Sequence, residues 1–309
     1  MAAWKDKIKN EDILLIDGGM GTELERRGVP MSDISWNGAA LVENPDAIVA
    51  AHEDYIRAGA EVIITNTFGV GPYMFEEMGM GDRTDELIRS AAELAQRARD
   101  NTGIDVAIAG SIASPGIRNQ DWVRGAPEPS EEAMMESCYR MASQLAAGGC
   151  DLIALEMMMD TVMAPVGVKA SKAAGLPVWL GLSVKWNEAR DTLVSHSSRT
   201  QVPLADMLDA LLPLAPDAVN IMHTGIDATP TALDQVRARY DGPLGAYPES
   251  GYFTMPHWQF VDIISPEDLV AEARHWVDQG VTILGGCCGL GPDHIAALRD
   301  AIPTMKKSA

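Results

Sequence analysis

Two adjacent cysteines, Cys287 and Cys288, stand between glycines in the segment Gly-Gly-Cys-Cys-Gly at residues 285–289. Neighbouring cysteines form a disulfide only with strain, because their Cα atoms are about 3.8 Å apart and such bridges prefer larger spacings. Two thiolates at one opening are good zinc ligands, and a catalytic zinc needs three protein ligands and one open position. The alternative is two small apolar side chains packed under a glycine turn. Residue types alone leave these two interpretations balanced.

The elements that must position these thiols follow from an alternation of short apolar segments with longer amphipathic ones. Eight segments read as strands, at residues 14–17, 61–65, 106–110, 151–155, 177–184, 217–222, 243–247 and 281–285. Helical patterns lie between them, among them residues 82–100, 130–147, 202–212, 231–240 and 266–279, and several begin at a cap residue such as Ser130 or Ser265. The chain shows no compositional break, so we predict a single (β/α)₈ barrel domain over residues 1–309, with its core at about 14–302. A dinucleotide-binding sheet is disfavoured because G-x-G-x-x-G does not follow the first strand.

Composition excludes several classes of partner. The 309 residues carry 24 Lys and Arg against 44 Asp and Glu, a formal charge of −20, which disfavours nucleic acid and anionic membranes. No uninterrupted apolar run is long enough for a membrane span, and the charged first twelve residues do not resemble a signal peptide. With only four cysteines, two of them adjacent, we expect a cytoplasmic protein without a disulfide framework.

A third metal ligand is suggested by barrel geometry. Active sites of this fold collect where the strands end, and Cys287 and Cys288 follow the eighth strand. His223 follows the sixth strand, so it would reach the same mouth. Cys138 lies in a helical pattern and Cys150 precedes a strand, so both are expected in the core or in a turn. Beside two thiolates, His223 is better interpreted as a zinc ligand than as a histidine of the barrel rim.

Several short motifs in order along the chain resemble those of one known family. The segment 285–289 is followed by Pro-Asp-His-Ile at 292–295, and the first strand leads into Asp-Gly-Gly-Met-Gly-Thr-Glu-Leu at 17–24. Further matches are His52 with Tyr-Ile-Arg-Ala-Gly-Ala at 55–60, Thr-Asn-Thr-Phe at 65–68, and Tyr-Pro and Ser-Gly within 247–251. Together they resemble the homocysteine S-methyltransferase family from about residue 14 to 302. This family includes betaine-dependent and S-methylmethionine-dependent enzymes and the homocysteine module of cobalamin-dependent methionine synthase.

The resemblance implies a (β/α)₈ barrel in which a zinc ion holds the sulfur of the substrate. It also implies that Asp17 and the backbone near Gly18 bind the substrate ammonium group. Glu156, after the fourth strand, would bind the same group. Trp36 is matched in the family and would offer an aromatic face to a cationic donor. Each of these residues also has a plain structural interpretation, as a turn, a strand-end charge or a packed side chain.

Three positions depart from the family pattern. His223 stands where the family usually has a third cysteine, so zinc with two thiolates and a neutral imidazole has a formal charge of 0 instead of −1. Glu249 replaces a common asparagine, which adds a negative charge that either contacts a cationic substrate or lies harmlessly at the rim. Gly69 replaces an aromatic residue of betaine-using members, which argues against betaine as the donor.

The donor and the exact activity stay open at this stage. The barrel uses the whole chain, so we expect either a small sulfonium or ammonium donor, or methylcobalamin carried by a separate corrinoid protein, as in a split methionine synthase. The small donor is favoured slightly. A zinc- and thiol-binding barrel without methyl transfer is a second alternative. Zinc-assisted hydrolysis with Glu249 as base is a third, which thiolate ligands disfavour because they reduce Lewis acidity.

Overall fold

A computed structural model of the protein describes residues 3–113, 130–197 and 201–305. Within these residues, eight parallel strands form one sheet in the order β1-β12-β9-β8-β5-β4-β3-β2. They are β1 (Leu14–Leu15), β2 (Val62–Ile64), β3 (Ala107–Ala113), β4 (Leu152–Met158), β5 (Val178–Leu182), β8 (Ala218–Gly225), β9 (Leu244–Glu249) and β12 (Ile283–Leu284). Backbone contacts between β1 and β2 close the sheet, with Ile16 paired to Val62. The predicted (β/α)₈ barrel is therefore confirmed.

The remaining strands form two antiparallel hairpins outside the barrel sheet. The pair β6 (Val184–Trp186) and β7 (Leu193–Ser195) follows β5, and the pair β10 (Tyr252–Thr254) and β11 (His257–Gln259) follows β9. Both hairpins start where a barrel strand ends, so they extend from the mouth of the barrel. The sequence did not predict either of them.

Helices connect the strands and cover the barrel. They are α1 (Ala3–Asn10), α2 (Met20–Arg26), α3 (Ala40–Glu43), α4 (Pro45–Ala58), α5 (Pro72–Glu77), α6 (Thr84–Thr102), α7 (Glu131–Ala147), α8 (Met163–Ala173), α9 (Leu204–Leu211), α10 (Thr229–Arg237), α11 (Pro266–Asp278) and α12 (Pro292–Ala301). Ser130 and Ser265 cap α7 and α11 as their sequence positions indicated, each accepting a backbone N–H with its hydroxyl. No helix in the described ranges is long and apolar enough to cross a membrane.

Alternate residues along the strands face two different apolar layers. Leu15 and Ile63 belong to the large layer between strands and helices, whereas Leu14 and Val62 belong to a second cluster. That second cluster includes Trp4 of α1, whose indole lies edge-on to Trp179 with the ring centroids 6.0 Å apart. Because strand side chains alternate between faces, the second cluster fills the barrel interior, and Cys287 packs against it.

Two strands are irregular at the ends where site residues were predicted. The pairing of β4 with β5 shifts between Leu155 and Met158, and the pairing of β8 with β9 shifts between Met222 and Gly225. Met157 and His223 have positive φ angles of 53° and 43° at these shifts. Such irregularities redirect side chains, and here they occur beside Glu156 and at His223.

Candidate metal centre

Three potential metal ligands come together at the mouth of the barrel. His223 lies near the end of β8, and Cys287 and Cys288 follow β12 after two glycines. The Cys287 Sγ atom is 3.7 Å from His223 Nδ1 and 4.0 Å from Cys288 Sγ, and the three ligand atoms lie within 4.8 Å of one another. The structure therefore brings together the three residues that the sequence suggested as ligands.

The backbone holds the two cysteines in place from both sides. The Cys287 N–H donates to the carbonyl oxygen of Pro248 at 2.8 Å, and the Ser250 N–H donates to the Cys288 carbonyl at 3.0 Å. Gly289 then turns the chain with φ = 85°, and a Cβ atom there would lie 1.9 Å from the Ser250 carbonyl oxygen. Only glycine fits such a turn, so the final glycine of the motif keeps the thiols next to the end of β9.

These distances suit a tetrahedral zinc ion. With Zn–S bonds of about 2.3 Å and Zn–N bonds of about 2.0–2.1 Å, tetrahedral ligands lie about 3.8 Å apart for two sulfurs and about 3.6 Å apart for sulfur and nitrogen. The observed 4.0 Å and 3.7 Å are close to these separations. Two thiols and one imidazole form a donor set that zinc prefers, and three protein ligands leave one position for a substrate.

A carboxylate and a second imidazole extend the centre. Glu249, the last residue of β9, has Oε2 2.8 Å from His223 Nδ1 and Oε1 4.0 Å from His196 Nδ1. The rings of His196 and His223 have centroids 5.1 Å apart. Sequence reasoning missed His196, since it lies just after β7 in an unpredicted hairpin, and no motif marked it.

The charges of the centre depend strongly on one another. Burial opposes protonation of His223, but the Glu249 carboxylate and the Cys287 thiol outweigh burial and raise the pKa of this imidazole well above its usual value. Burial would also raise the pKa of Glu249, yet His223 and His196 lower it. The neighbouring thiol of Cys288 lowers the pKa of Cys287, and the pKa of Cys288 is raised in turn. These shifts favour a thiolate and a carboxylate beside an imidazolium.

A cavity of about 60 Å³ lies beside these ligands and opens to solvent. Four of the residues suggested as substrate-binding or ligand residues line it together with the cysteines: Gly18, Trp36, Glu156 and His223. Asp17 and Glu249 are not among the described residues that line it. Further lining residues are Gly19, Met20, Gly21, Asn37, Ile64, Thr65, Asn66, Phe68, Met222, Tyr247 and Gly286.

The two carboxylates suggested for the substrate ammonium lie in different surroundings. Asp17 is fully buried, and its Oδ2 accepts a 2.8 Å hydrogen bond from the Ile64 N–H. Its pKa is raised mainly by burial. Glu156 accepts a hydrogen bond from the Ser111 hydroxyl, and burial together with the charge of Cys287 raises its pKa to about 8. Of the two, Glu156 faces the cavity.

Aromatic rings line the cavity and pack beside it. The indole of Trp36 meets the rings of Phe68 and Phe253 edge-on, at centroid distances of 6.5 Å and 5.5 Å. The ring centroid of Trp258 is 6.2 Å from that of His223. Phe253 and Trp258 come from the β10–β11 hairpin, so the sequence did not indicate them as part of the site.

Comparisons with known proteins agree with this geometry. A family model described as homocysteine S-methyltransferase matches residues 14–302. The chain is 30% identical to a homocysteine S-methyltransferase of Escherichia coli (strain K12), with 94% of this chain and 96% of that protein covered. It is 26% identical to a selenocysteine Se-methyltransferase of Brassica oleracea var. italica, with 94% and 89% covered.

Solved structures give the same result. The metallated form of the homocysteine methyltransferase MmuM from Escherichia coli superposes with a TM-score of 0.77 at 28% identity, covering 96% of this chain and 98% of that one. A methyltransferase from Methanosarcina mazei, at 15% identity and a TM-score of 0.57, shares the fold.

Proposed function

The chain is a methyltransferase of the homocysteine S-methyltransferase family, and we propose that it uses zinc to methylate the thiol of homocysteine, giving methionine. The observation that carries this proposal is the Cys287, Cys288 and His223 cluster beside a cavity at the barrel mouth. A free thiol has a pKa of roughly 8.5, and zinc bound at this cluster would supply the positive charge that keeps the substrate sulfur ionised at neutral pH.

The remainder of the acceptor needs a partner for its ammonium group. Glu156 lines the cavity, and its pKa is raised to about 8 because burial and a nearby thiolate disfavour its charge. A substrate ammonium would favour the ionised carboxylate, so binding the acceptor would offset the cost of charging Glu156. Gly18 lets the backbone approach closely, since a Cβ atom there would lie 2.4 Å from the Leu290 carbonyl oxygen. Asp17 precedes this glycine and is fully buried, and its raised pKa leaves Glu156 as the carboxylate that faces the ammonium.

We propose a small sulfonium or ammonium compound as the methyl donor. Trp36 and Phe68 line the cavity, and Phe253 packs against Trp36, so an onium group next to the thiols would face aromatic rings. The transfer breaks the bond between the methyl carbon and the donor heteroatom and forms a bond to the acceptor sulfur. The donor leaves as a neutral thioether or amine, and the acceptor proton goes to solvent.

An activity assay with purified protein tests this proposal. Zinc-loaded protein would be incubated with homocysteine and, separately, S-methylmethionine, S-adenosylmethionine or betaine, and methionine would be measured by mass spectrometry. We expect turnover with a sulfonium donor and no turnover in a Cys287→Ser, Cys288→Ser double variant. Turnover only when a methylcobalamin-loaded corrinoid protein is added would instead identify one component of a split methionine synthase. Homocysteine binding without methionine formation under every condition would overturn methyl transfer.

A further inference from the structure

Two glycine-rich segments lie side by side where the first and last strands of the barrel pair. The glycine turn, residues 17–19, follows β1, and the cysteine loop, residues 286–290, follows β12, which is hydrogen-bonded to β1. Both glycines of the turn and both cysteines of the loop line the cavity at the barrel mouth. An acceptor held by its amino-acid end at the turn and by its sulfur at the loop must therefore span the contact between these segments.

The backbone joins the two segments at only a few points. The Gly286 N–H donates to the carbonyl oxygen of Asp17 at 3.0 Å, and the Gly19 N–H donates to the carbonyl oxygen of Leu290 at 3.1 Å. The segments are far apart in sequence and rich in glycine, which gives a backbone wide conformational freedom. Further contacts are needed to fix the separation between the turn and the thiols.

The side chain of Tyr55 bridges the turn and the loop from behind the cavity. This residue of α4 is fully buried, and its hydroxyl oxygen lies 3.3 Å from the carbonyl oxygens of both Gly19 and Leu290. One hydroxyl proton can be shared between two such acceptors. The ring also packs on the turn, since a Cβ atom at Gly18 would lie 2.9 Å from Tyr55 Cε1. Tyr55 is not among the described residues that line the cavity, so its role there is indirect.

A second bridge comes from the first turn of α2. The Thr22 hydroxyl donates to the Gly19 carbonyl oxygen at 3.0 Å and accepts the Gly289 N–H at 3.1 Å. Thr22 is fully buried and, like Tyr55, does not line the cavity in the part of the chain that the structure describes. Two buried hydroxyls thus connect the turn to the loop.

We infer that Tyr55 and Thr22 are positioning residues, which hold the glycine turn and the cysteine loop at the separation that one acceptor molecule needs to reach both. This inference rests on the proposed zinc centre and on an amino-acid thiol as the acceptor. Preorganised binding groups gain affinity because the ligand does not have to order them. Loss of either hydroxyl should therefore weaken a ligand that uses both segments, and a ligand that uses only the sulfur position should be unaffected.

Thiol binding to Co²⁺-loaded protein tests this inference. Homocysteine, which has a thiol and an amino-acid end, and 1-propanethiol, which has the thiol alone, are titrated while the thiolate-to-cobalt absorption is recorded. Tyr55→Phe and Thr22→Val remove the hydroxyls and keep the shapes of the side chains. We expect each change to weaken homocysteine binding by about tenfold and to leave 1-propanethiol binding within about twofold of the wild type. Thr22→Ser keeps a hydroxyl and should bind both thiols as the wild type does.

The outcomes separate this inference from the proposed function. Unchanged homocysteine affinity in both hydroxyl-free variants, or equal losses for the two thiols, overturns the positioning role and leaves the proposed function intact. Failure of the metal-loaded wild type to bind either thiol overturns both. Thermal melts of the metal-free variants show whether each one folds, and if one hydroxyl-free variant does not fold, the other gives the same test.

A tyrosine outside the site provides a matched control. The Tyr240 hydroxyl donates to the carbonyl oxygen of Pro216 at 3.4 Å, and neither residue lines the cavity. Tyr240→Phe removes the same kind of hydrogen bond, from a tyrosine to the backbone. It should leave the affinities for homocysteine and 1-propanethiol unchanged, and a selective loss of homocysteine binding in this variant would contradict the assignment of that effect to Tyr55 and Thr22.

Discussion

The barrel mouth and the helical layer contain the same residue types in opposite electrostatic states. At the mouth, the pKa of Cys287 is lowered and that of His223 is raised. In the helices, burial alone raises the pKa of the Cys138 thiol to about 12 and lowers the pKa of the His52 imidazole to about 3. The side chains are largely buried in both regions, so the difference comes from their partners.

The partners come from strand ends. Burial disfavours charge everywhere, but at the mouth the Cys287 thiolate and the Glu249 carboxylate both favour the charged form of the His223 imidazole, and the imidazolium favours the charged form of each of them. In α4, neither ring nitrogen of His52 has a hydrogen-bond partner among the described residues. Buried charge persists at the mouth because the barrel geometry brings several titratable groups together there, which favours the mouth as the functional region.

The largest expected effect comes from removing the thiols at the mouth. Replacing Cys287 and Cys288 with serine should abolish stoichiometric zinc binding and reduce methyl transfer by at least about 10³-fold, because serine hydroxyls do not ionise to replace thiolates. Elemental mass spectrometry and the methionine assay measure the two effects. Full zinc occupancy in this variant would show that the two regions do not differ in metal binding.

A smaller effect is expected from the core histidine when pH is lowered. The pKa of His52 is about 3 in the folded protein and near 6.5 when unfolded, so the unfolded chain takes up the proton first. Its contribution to stability is present above pH 6.5 and is lost as pH falls toward 3. Between pH 8 and pH 5 the free energy of unfolding should decrease by about 2 kcal/mol from this residue. Urea unfolding of wild type and His52→Leu at both pH values measures the difference, and equal pH dependences would contradict it.

The smallest effect should come from the core thiol. Cys138 is 3% exposed and packs with Met134, Val166 and Ala170. Cys138→Ala should lower the free energy of unfolding by about 1 kcal/mol through lost packing, while zinc stoichiometry stays unchanged. Chemical denaturation measures the free energy of unfolding, and metal analysis measures the zinc stoichiometry. A loss of zinc in this variant would remove the contrast between mouth and core thiols.

Much of the architecture could be predicted from local patterns. The strands were found within a few residues, because alternating apolar segments and capped helices are local signals, as at Ser130 and Ser265. The ends of β3, β4 and β8 were placed too early, and at β4 and β8 the missed residues include pairing shifts that arise from neighbouring strands. The hairpin that contributes Phe253 and Trp258 was missed, because three-residue strands leave little trace in composition.

The sequence by itself determined the fold class, the family and the ligand candidates Cys287, Cys288 and His223, because residue types, order and spacing are enough to recognise repeating units and metal-binding motifs. Only the tertiary structure decided which side chains meet. Glu249 and His223 were two separate departures in the sequence, and the pairing of β8 with β9 brings them to 2.8 Å. His196 joins them from a distant hairpin. Distances between strand ends are set by barrel closure, and no local pattern in the chain encodes them.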